Sequence, residues 1–228
     1  SLALGTEEVT LAGLVQAYTP LANGGSRAEA RTIVRVYDRY YRTWTENPPP
    51  VITPVLSPAT AFVTTSMLKD VLTYGTAKGL RRFSEERPAA GKTGTTDNYQ
   101  DAWFIGYTPQ LITGIWAGYD QPKPGGKGFT GGAVCAPLWG RFMRSALAAK
   151  PPVDFPKPDS VVTAIIDPAT GALATPECPE KREEFYLAGT QPTATCPRHG
   201  GAALSPPSPV LPEPMDKEPD RPFFPFFR

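Results

Sequence analysis

The sequence predicts an α+β protein: an antiparallel sheet flanked by helices, followed by a small β appendage and a proline-rich tail. Three observations predict it. Between residues 89 and 119 lie three short runs rich in Thr, Ile, Phe, Trp and Tyr, the pattern of a meander of half-buried strands. On both sides of them are stretches whose apolar residues recur at helical spacing. Beyond Lys150 the composition shifts abruptly to proline and turn residues.

Taken in order, Thr10 caps a helix over 10–22 carrying Leu11, Leu14, Val15, Tyr18 and Leu21, with Asn23-Gly24-Gly25 as its stop. Pro20 deletes a backbone donor there, so that helix ends early or bends. The β-branched run Thr32-Ile33-Val34-Arg35-Val36-Tyr37 reads as a strand entering a hairpin near Asp38-Arg39. Ser57-Pro58 opens a helix over 58–73, a capping hydroxyl followed by proline at the first helical position. Its expected apolar stripe is Ala59, Phe62, Val63, Met67 and Val71. A polar connection follows Gly75-Thr76, and then come strands over 89–96, 101–107 and 111–119, with Asp97-Asn98 turning between the first two. A last helix over 133–148, with Leu138, Phe142 and Leu147, is expected to cover the sheet. Residues 151–158 read as a Pro-rich linker, 159–199 as the small β appendage, and 200–228 as a disordered tail too rich in proline to build a core.

Bulk composition narrows the functional classes. The chain has 228 residues, enough for one substantial core with an addition, and its 40% hydrophobic share is that of a globular protein. Its 28 prolines are roughly twice the usual share of about 5%. Lys and Arg number 23 against 22 Asp and Glu, so no global field draws nucleic acid. No apolar run approaches the 18 or so residues of a membrane span, so no membrane contact is expected from this segment. The start, Ser1-Leu2-Ala3, reads as processed or as a piece of something longer. Of three cysteines, Cys178 and Cys196 are the candidates for a disulfide in an oxidising compartment, and Cys135 stands alone.

The chemistry lies in Lys92-Thr93-Gly94-Thr95-Thr96. A phosphate loop would need glycine five residues before Gly91, and that position is Glu86. On a strand at the margin of an active site the same residues suit a different task. A peptide substrate can pair with the strand backbone, and Gly94 lets the two backbones come close. Thr93 and Thr95 share one face and can offer hydroxyls to a terminal carboxylate, while Lys92 supplies positive charge nearby. The backbone N–H of Thr95 is then available to an acyl-transfer oxyanion, a role that commonly contributes about 3–4 kcal/mol to the barrier.

Lysine-threonine-glycine is one of three motifs of penicillin-binding proteins and class A β-lactamases. The surrounding text, Ala89-Ala90-Gly91-Lys92-Thr93-Gly94-Thr95-Thr96, Asp101-Ala102-Trp103-Phe104-Ile105-Gly106-Tyr107-Thr108-Pro109 and Trp116-Ala117-Gly118-Tyr119-Asp120, closely resembles class A penicillin-binding proteins, the bifunctional murein synthases. Ser1-Leu2-Ala3-Leu4-Gly5, Ala22-Asn23-Gly24-Gly25 and the stretch from Ser57-Pro58 to Gly75-Thr76 are similar to that family too. The resemblance implies a three-layer serine D,D-peptidase/β-lactamase-like fold, with residues 1–150 forming the C-terminal part of a transpeptidase domain. It further implies D-alanyl-D-alanine stem peptides as substrates, β-lactams as inhibitors, no cofactor and no metal. The implied location is periplasmic, with the inner-membrane anchor in a segment missing from this chain.

In the family a serine at a helix start attacks the peptide, and a lysine one turn later helps remove its proton. Ser66-Met67-Leu68-Lys69 alone has that spacing here, but Ser66 falls in the middle of the 58–73 helix, where backbone N–H groups are already bonded. A Ser-x-Asn triplet is absent. The nucleophile is therefore expected to lie outside this chain, which alone should not acylate with penicillin. The alternatives are a non-catalytic β-lactam or muropeptide sensor and, third, a secreted β-lactamase, against which the 150–228 extension argues.

Other residues carry plainer readings. Trp103, Phe104, Tyr107 and Trp116 read as sheet core rather than a ligand platform. Asp101 is a surface hairpin residue or a prop for the active-site strand, and Thr96 touches substrate or simply packs. Arg81-Arg82 reads as a solvated pair. His199 near Cys196 and Cys178 invites a metal reading, but three ligands of this spacing match no firm zinc pattern.

Overall fold

A computed structural model describes residues 8–200. The terminal residues Ser1-Leu2-Ala3-Leu4-Gly5 and the expected tail beyond Gly200 lie outside them. The chain divides into two units, Ser1–Ile165 with Glu183–Gln191, and Ile166–Arg182 with Pro192–Arg228.

In the larger unit Thr10 caps α1 (Leu11–Ala17), accepting from the Gly13 N–H at 3.0 Å. Pro20 has the expected effect: α1 stops before it, and a single turn, α2 (Thr19–Ala22), follows with the proline buried. Two short antiparallel ribbons come next. The first pairs β1 (Ser26–Ala28) with β4 (Ile52–Pro54), and the second pairs β2 (Arg35–Tyr37) with β3 (Thr43–Glu46). The Asp38 carboxylate closes the latter hairpin by accepting from the Tyr40 and Arg42 N–H groups at 2.8 and 3.0 Å.

Helix α3 (Pro58–Thr73) starts where Ser57 accepts from the Thr60 N–H at 3.0 Å. The expected stripe holds in part, since Ala59 is buried and Phe62 and Val71 pack half-buried against the core, but it does not describe the whole buried face. Ala59, Ala61, Thr65 and Leu72 go inward, whereas Met67 is 57% exposed. Thr65 can be buried because its hydroxyl meets the Tyr107 hydroxyl at 3.0 Å and the Leu21 carbonyl at 3.2 Å. Counting apolar residues alone misses such a position. Burial raises the Tyr107 phenol above its ordinary range.

The expected polar connection after Gly75-Thr76 instead holds a 3-10 turn (Lys78–Leu80) and α4 (Arg81–Glu86). Phe83 anchors α4 edge-on against Trp139 at 5.1 Å, while Arg81 and Arg82 stay outside and pair with Glu85 and Glu86. A single aromatic among charges leaves no periodicity to read.

The sheet is the expected antiparallel meander, β5 (Ala90–Thr95), β6 (Ala102–Thr108) and β7 (Leu111–Ala117) in that order. Phe104 and Tyr107 are fully buried, but Trp103 and Trp116 form a half-exposed cross-strand pair with ring centroids 6.2 Å apart. A wide π turn (Gly131–Cys135) leads into α5 (Ala136–Ala146). Here the inward face agrees with expectation only at Leu147, which is buried: Ala136, Trp139, Gly140 and Met143 are buried with it, and Leu138 and Phe142 are 39% and 48% exposed. Trp139 sets that phase, since its indole N–H donates to the Gly106 carbonyl at 3.0 Å and Gly106 leaves room for the ring.

Residues 151–158, expected as a linker, are fastened to the larger unit. Phe155 is buried against Tyr107, and Asp154 pairs with Lys69 at 3.0 Å. Strands β8 (Val161–Ile166) and β9 (Arg182–Leu187) form a two-stranded sheet, and Phe185 of β9 stacks edge-on against Phe62 of α3 at 5.2 Å.

The described residues of the second unit have little regular structure. Bridges join Ile166 to Leu173 and Leu173 to Thr195, and the turn Asp167-Pro168-Ala169-Thr170-Gly171 is closed by the Gly171 N–H on the Asp167 carbonyl at 2.8 Å.

Candidate active-site strand

Strand β5 enters buried and emerges open. Ala90 and Gly91 are enclosed, whereas Lys92, Thr95 and Thr96 are exposed and Thr93 and Gly94 half-buried. Two glycines permit the buried start, because a side chain at Gly91 or Gly106 would collide with the Phe104 ring. Among the described residues β5 pairs only with β6, in the register Thr93↔Phe104, Gly94↔Trp103 and Thr95↔Ala102.

The direction of the strand's backbone groups follows from one bond. The Thr96 N–H donates to the Asp101 carbonyl at 3.1 Å, so residue 96 faces β6. Antiparallel ladders alternate, which turns the N–H and C=O of Thr95 and Thr93 away from β6 toward the strand's other side. These are the groups an added peptide strand would use.

The side chains alternate as expected. Thr93 and Thr95 share a face: the Thr93 hydroxyl meets the Thr76 hydroxyl at 2.6 Å, and the Thr95 hydroxyl accepts from the Gly131 N–H at 3.2 Å. That bond leaves the Thr95 O–H as a donor for an incoming anion. Lys92 projects from the opposite face, and its ammonium donates to the Thr93 carbonyl at 2.8 Å.

The end of the strand is braced. Thr96 donates its hydroxyl to Asp101 Oδ2 at 3.2 Å and accepts the Asp101 N–H at 2.8 Å, while the Trp116 indole donates to Asp101 Oδ1 at 2.8 Å. Asp101 is thus a prop between β5 and β7. Beside it a groove of about 610 Å³ is lined by Thr96, Asp97, Asn98, Tyr99, Gln100 and Pro124. Asn98 and Tyr99 are both left-handed there, with φ of 57° and 56°, which is costly for an aromatic residue.

Thr76 and Gly131 were not expected at the site. Gly131 opens the π turn so tightly against the sheet that a Cβ would lie 2.0 Å from the Trp103 carbonyl oxygen and 2.6 Å from that of Gly94. The only sequence signal for it is the capping threonine ahead of a glycine pair, Thr130-Gly131-Gly132.

Ser66 and Lys69 do not act on each other. The Ser66 hydroxyl donates back to the Val63 carbonyl at 2.8 Å within α3, and Lys69 is committed to Asp154. Cys178 and Cys196, the disulfide candidates, are separate free thiols in the structure, as is Cys135. They are drawn instead toward Asp167 and His199.

Comparison with known proteins matches this arrangement. The model of the penicillin binding protein transpeptidase domain covers residues 1–143, and that of the penicillin-binding protein 1A C-terminal domain covers 157–201. The chain is 38% identical over 196 residues to penicillin-binding protein 1A of Aquifex aeolicus, covering 86% of this chain and 26% of that protein. It is 38% identical over 203 residues to penicillin-binding protein 2D of Bacillus subtilis, covering 86% of this chain and 29% of the other. The crystal structure of penicillin-binding protein 1A from Haemophilus influenzae superposes with a TM-score of 0.75 at 27% identity, over 86% of this chain and 34% of its own. The chain therefore spans about a quarter to a third of the length of these relatives. With the family model running from Ser1 through β5, the meander and most of α5, the chain belongs to the penicillin-binding protein transpeptidase family.

Proposed function

We propose that this chain supplies the carboxylate- and oxyanion-binding half of a serine-type peptidoglycan D,D-transpeptidase, which cross-links stem peptides outside the cytoplasm and is acylated by β-lactams. The observation that carries the reading is the direction of β5: from Lys92 onward the strand is open, and the Thr93 and Thr95 backbone groups turn away from β6.

A stem peptide ending in D-alanyl-D-alanine lies antiparallel along β5. Its carboxylate takes the free Thr95 O–H and the Thr93 hydroxyl, with the Lys92 charge lowering its energy. The Thr95 N–H meets the carbonyl oxygen as it becomes an oxyanion. The attacking serine is another than Ser66, whose hydroxyl is turned into its own helix while Lys69, one turn on, pairs with Asp154.

Labelled penicillin tests this directly. The longer protein carrying this chain is expected to form a covalent adduct that survives Ser66→Ala and is slowed by Thr95→Val. The 228-residue chain alone is expected to form none. A covalent band on the isolated chain that disappears with Ser66→Ala would refute the assignment.

A further inference from the structure

The second unit holds a cluster that the transpeptidase reading does not use. Asp167, Cys178, Cys196 and His199 each turn one donor atom to a common point, and these four atoms lie within 4.8 Å of one another. Asp167 Oδ2 is 2.7 Å from His199 Nδ1 and 3.0 Å from the Cys196 sulfur, which lies 3.3 Å from the same nitrogen. In a tetrahedral zinc site, metal–ligand bonds of about 2.0–2.3 Å place the ligands about 3.3–3.8 Å apart. The three short contacts, at 2.7–3.3 Å, are hydrogen bonds at or just inside that spacing, and all four atoms lie within 4.8 Å of one another, so small shifts would open the cluster to a tetrahedral ion. Three of the four residues are buried, with Asp167 1%, Cys178 5% and Cys196 0% exposed.

The surroundings are those of a coordinated carboxylate and thiolate. The second Asp167 oxygen accepts the Ala169 N–H at 2.8 Å, which fixes the carboxylate and leaves Oδ2 for the cluster. The Cys178 sulfur accepts the Thr175 N–H at 3.3 Å, which fixes its position beside the other three donors. The Thr175 hydroxyl also donates to the His199 carbonyl, tying the two ligand-bearing loops together. Cys196 and His199 are separated by two residues, Pro197 and Arg198, so one turn presents both donors.

We propose that Asp167, Cys178, Cys196 and His199 form a structural zinc-type site that clamps the second unit. All four positions are filled by protein, which is the closed arrangement of structural rather than catalytic zinc. Binding exchanges the two thiol protons for the dication, with no change of oxidation state, so affinity falls as the solution is acidified. The unit has few buried apolar residues to hold it otherwise, and small units of this kind rely on metals or cross-links.

The test uses the longer protein carrying this chain, isolated without chelator and analysed for metal by mass spectrometry. About one zinc per chain is expected, retained in Cys135→Ser and reduced at least tenfold in Cys178→Ser and His199→Ala. Reloading the unsubstituted protein with cobalt(II) alone is expected to give a sulfur-to-cobalt absorption band, which does not depend on any variant folding. Chelation is expected to speed hydrogen exchange in 167–199 and not in 90–117. Background zinc after incubation with the metal, or a Cys178–Cys196 disulfide in protein isolated without reductant, would overturn the proposal.

Discussion

The meander and the second unit solve the same problem by opposite means. Around Trp139 the larger unit encloses Phe83, Phe104, Met143 and Leu147, and this apolar mass lets the polar half of β5 stay open to solvent. The second unit encloses a carboxylate and two sulfurs with an imidazole at their margin. A core of that kind is stable only when its polar atoms are satisfied, by one another or by the metal ion proposed for them. The contrast teaches where to look for function in each: at the open edge in one, at the centre in the other.

The largest effect is expected from Trp139→Ala, which removes a fully buried ring and its bond to Gly106. A loss of about 3–5 kcal/mol in chemical denaturation is expected. If the 167–199 amides lose protection in step, the two regions do not owe their stability to different causes. Next comes Gly131→Ala, whose methyl group would strike the Trp103 and Gly94 carbonyls and push the π turn off β5. About 1–3 kcal/mol of destabilisation is expected in the same assay, with slower penicillin acylation of the longer protein.

Thr95→Val keeps the backbone N–H and removes only the hydroxyl that Gly131 orients. Acylation by labelled penicillin is expected to slow by roughly tenfold to a hundredfold, the range of a hydrogen bond to a charged group, with the denaturation midpoint nearly unchanged. An unchanged acylation rate would remove Thr95 Oγ from the carboxylate site. The smallest effect belongs to the β2–β3 hairpin. The Arg42 N–H, ahead of the other bonds to it, holds the Asp38 carboxyl below its usual range. A lowered folded value means that its support is present above about pH 4 and lost as pH falls through that lower value. The Tyr40 and Arg42 amide resonances are expected to shift together in acid, and Asp38→Asn to abolish the shift.

Elements with strong local signals were legible. Ser57-Pro58 marked the start of α3, Pro20 marked the break after α1, and the alternation of Thr93 with Thr95 put both hydroxyls on one face. Helix faces were less so. Apolar residues of α3 and α5 spread over more than the buried face, and the phase was decided by partners: the Tyr107 hydroxyl for Thr65, the Gly106 carbonyl for Trp139. The mid-helix position of Ser66 already argued against the Ser66-Lys69 spacing, and its bond to Val63 and the pairing of Lys69 with Asp154 agree with that. His199, Cys178 and Cys196 match no firm zinc pattern by spacing, and Asp167, the fourth member of the cluster, carries no local signal that would add it to them.

The sequence by itself determined the lysine-threonine-glycine strand, its meander and the kind of chemistry they suit, because strand alternation and turn residues act over a few positions. The tertiary structure decided which backbone groups of β5 turn away from β6, that Gly131 and Thr76 hold its hydroxyls, and that Asp167 joins two cysteines and a histidine. Those are contacts between residues distant in sequence, set by register and close approach, and no local pattern encodes them.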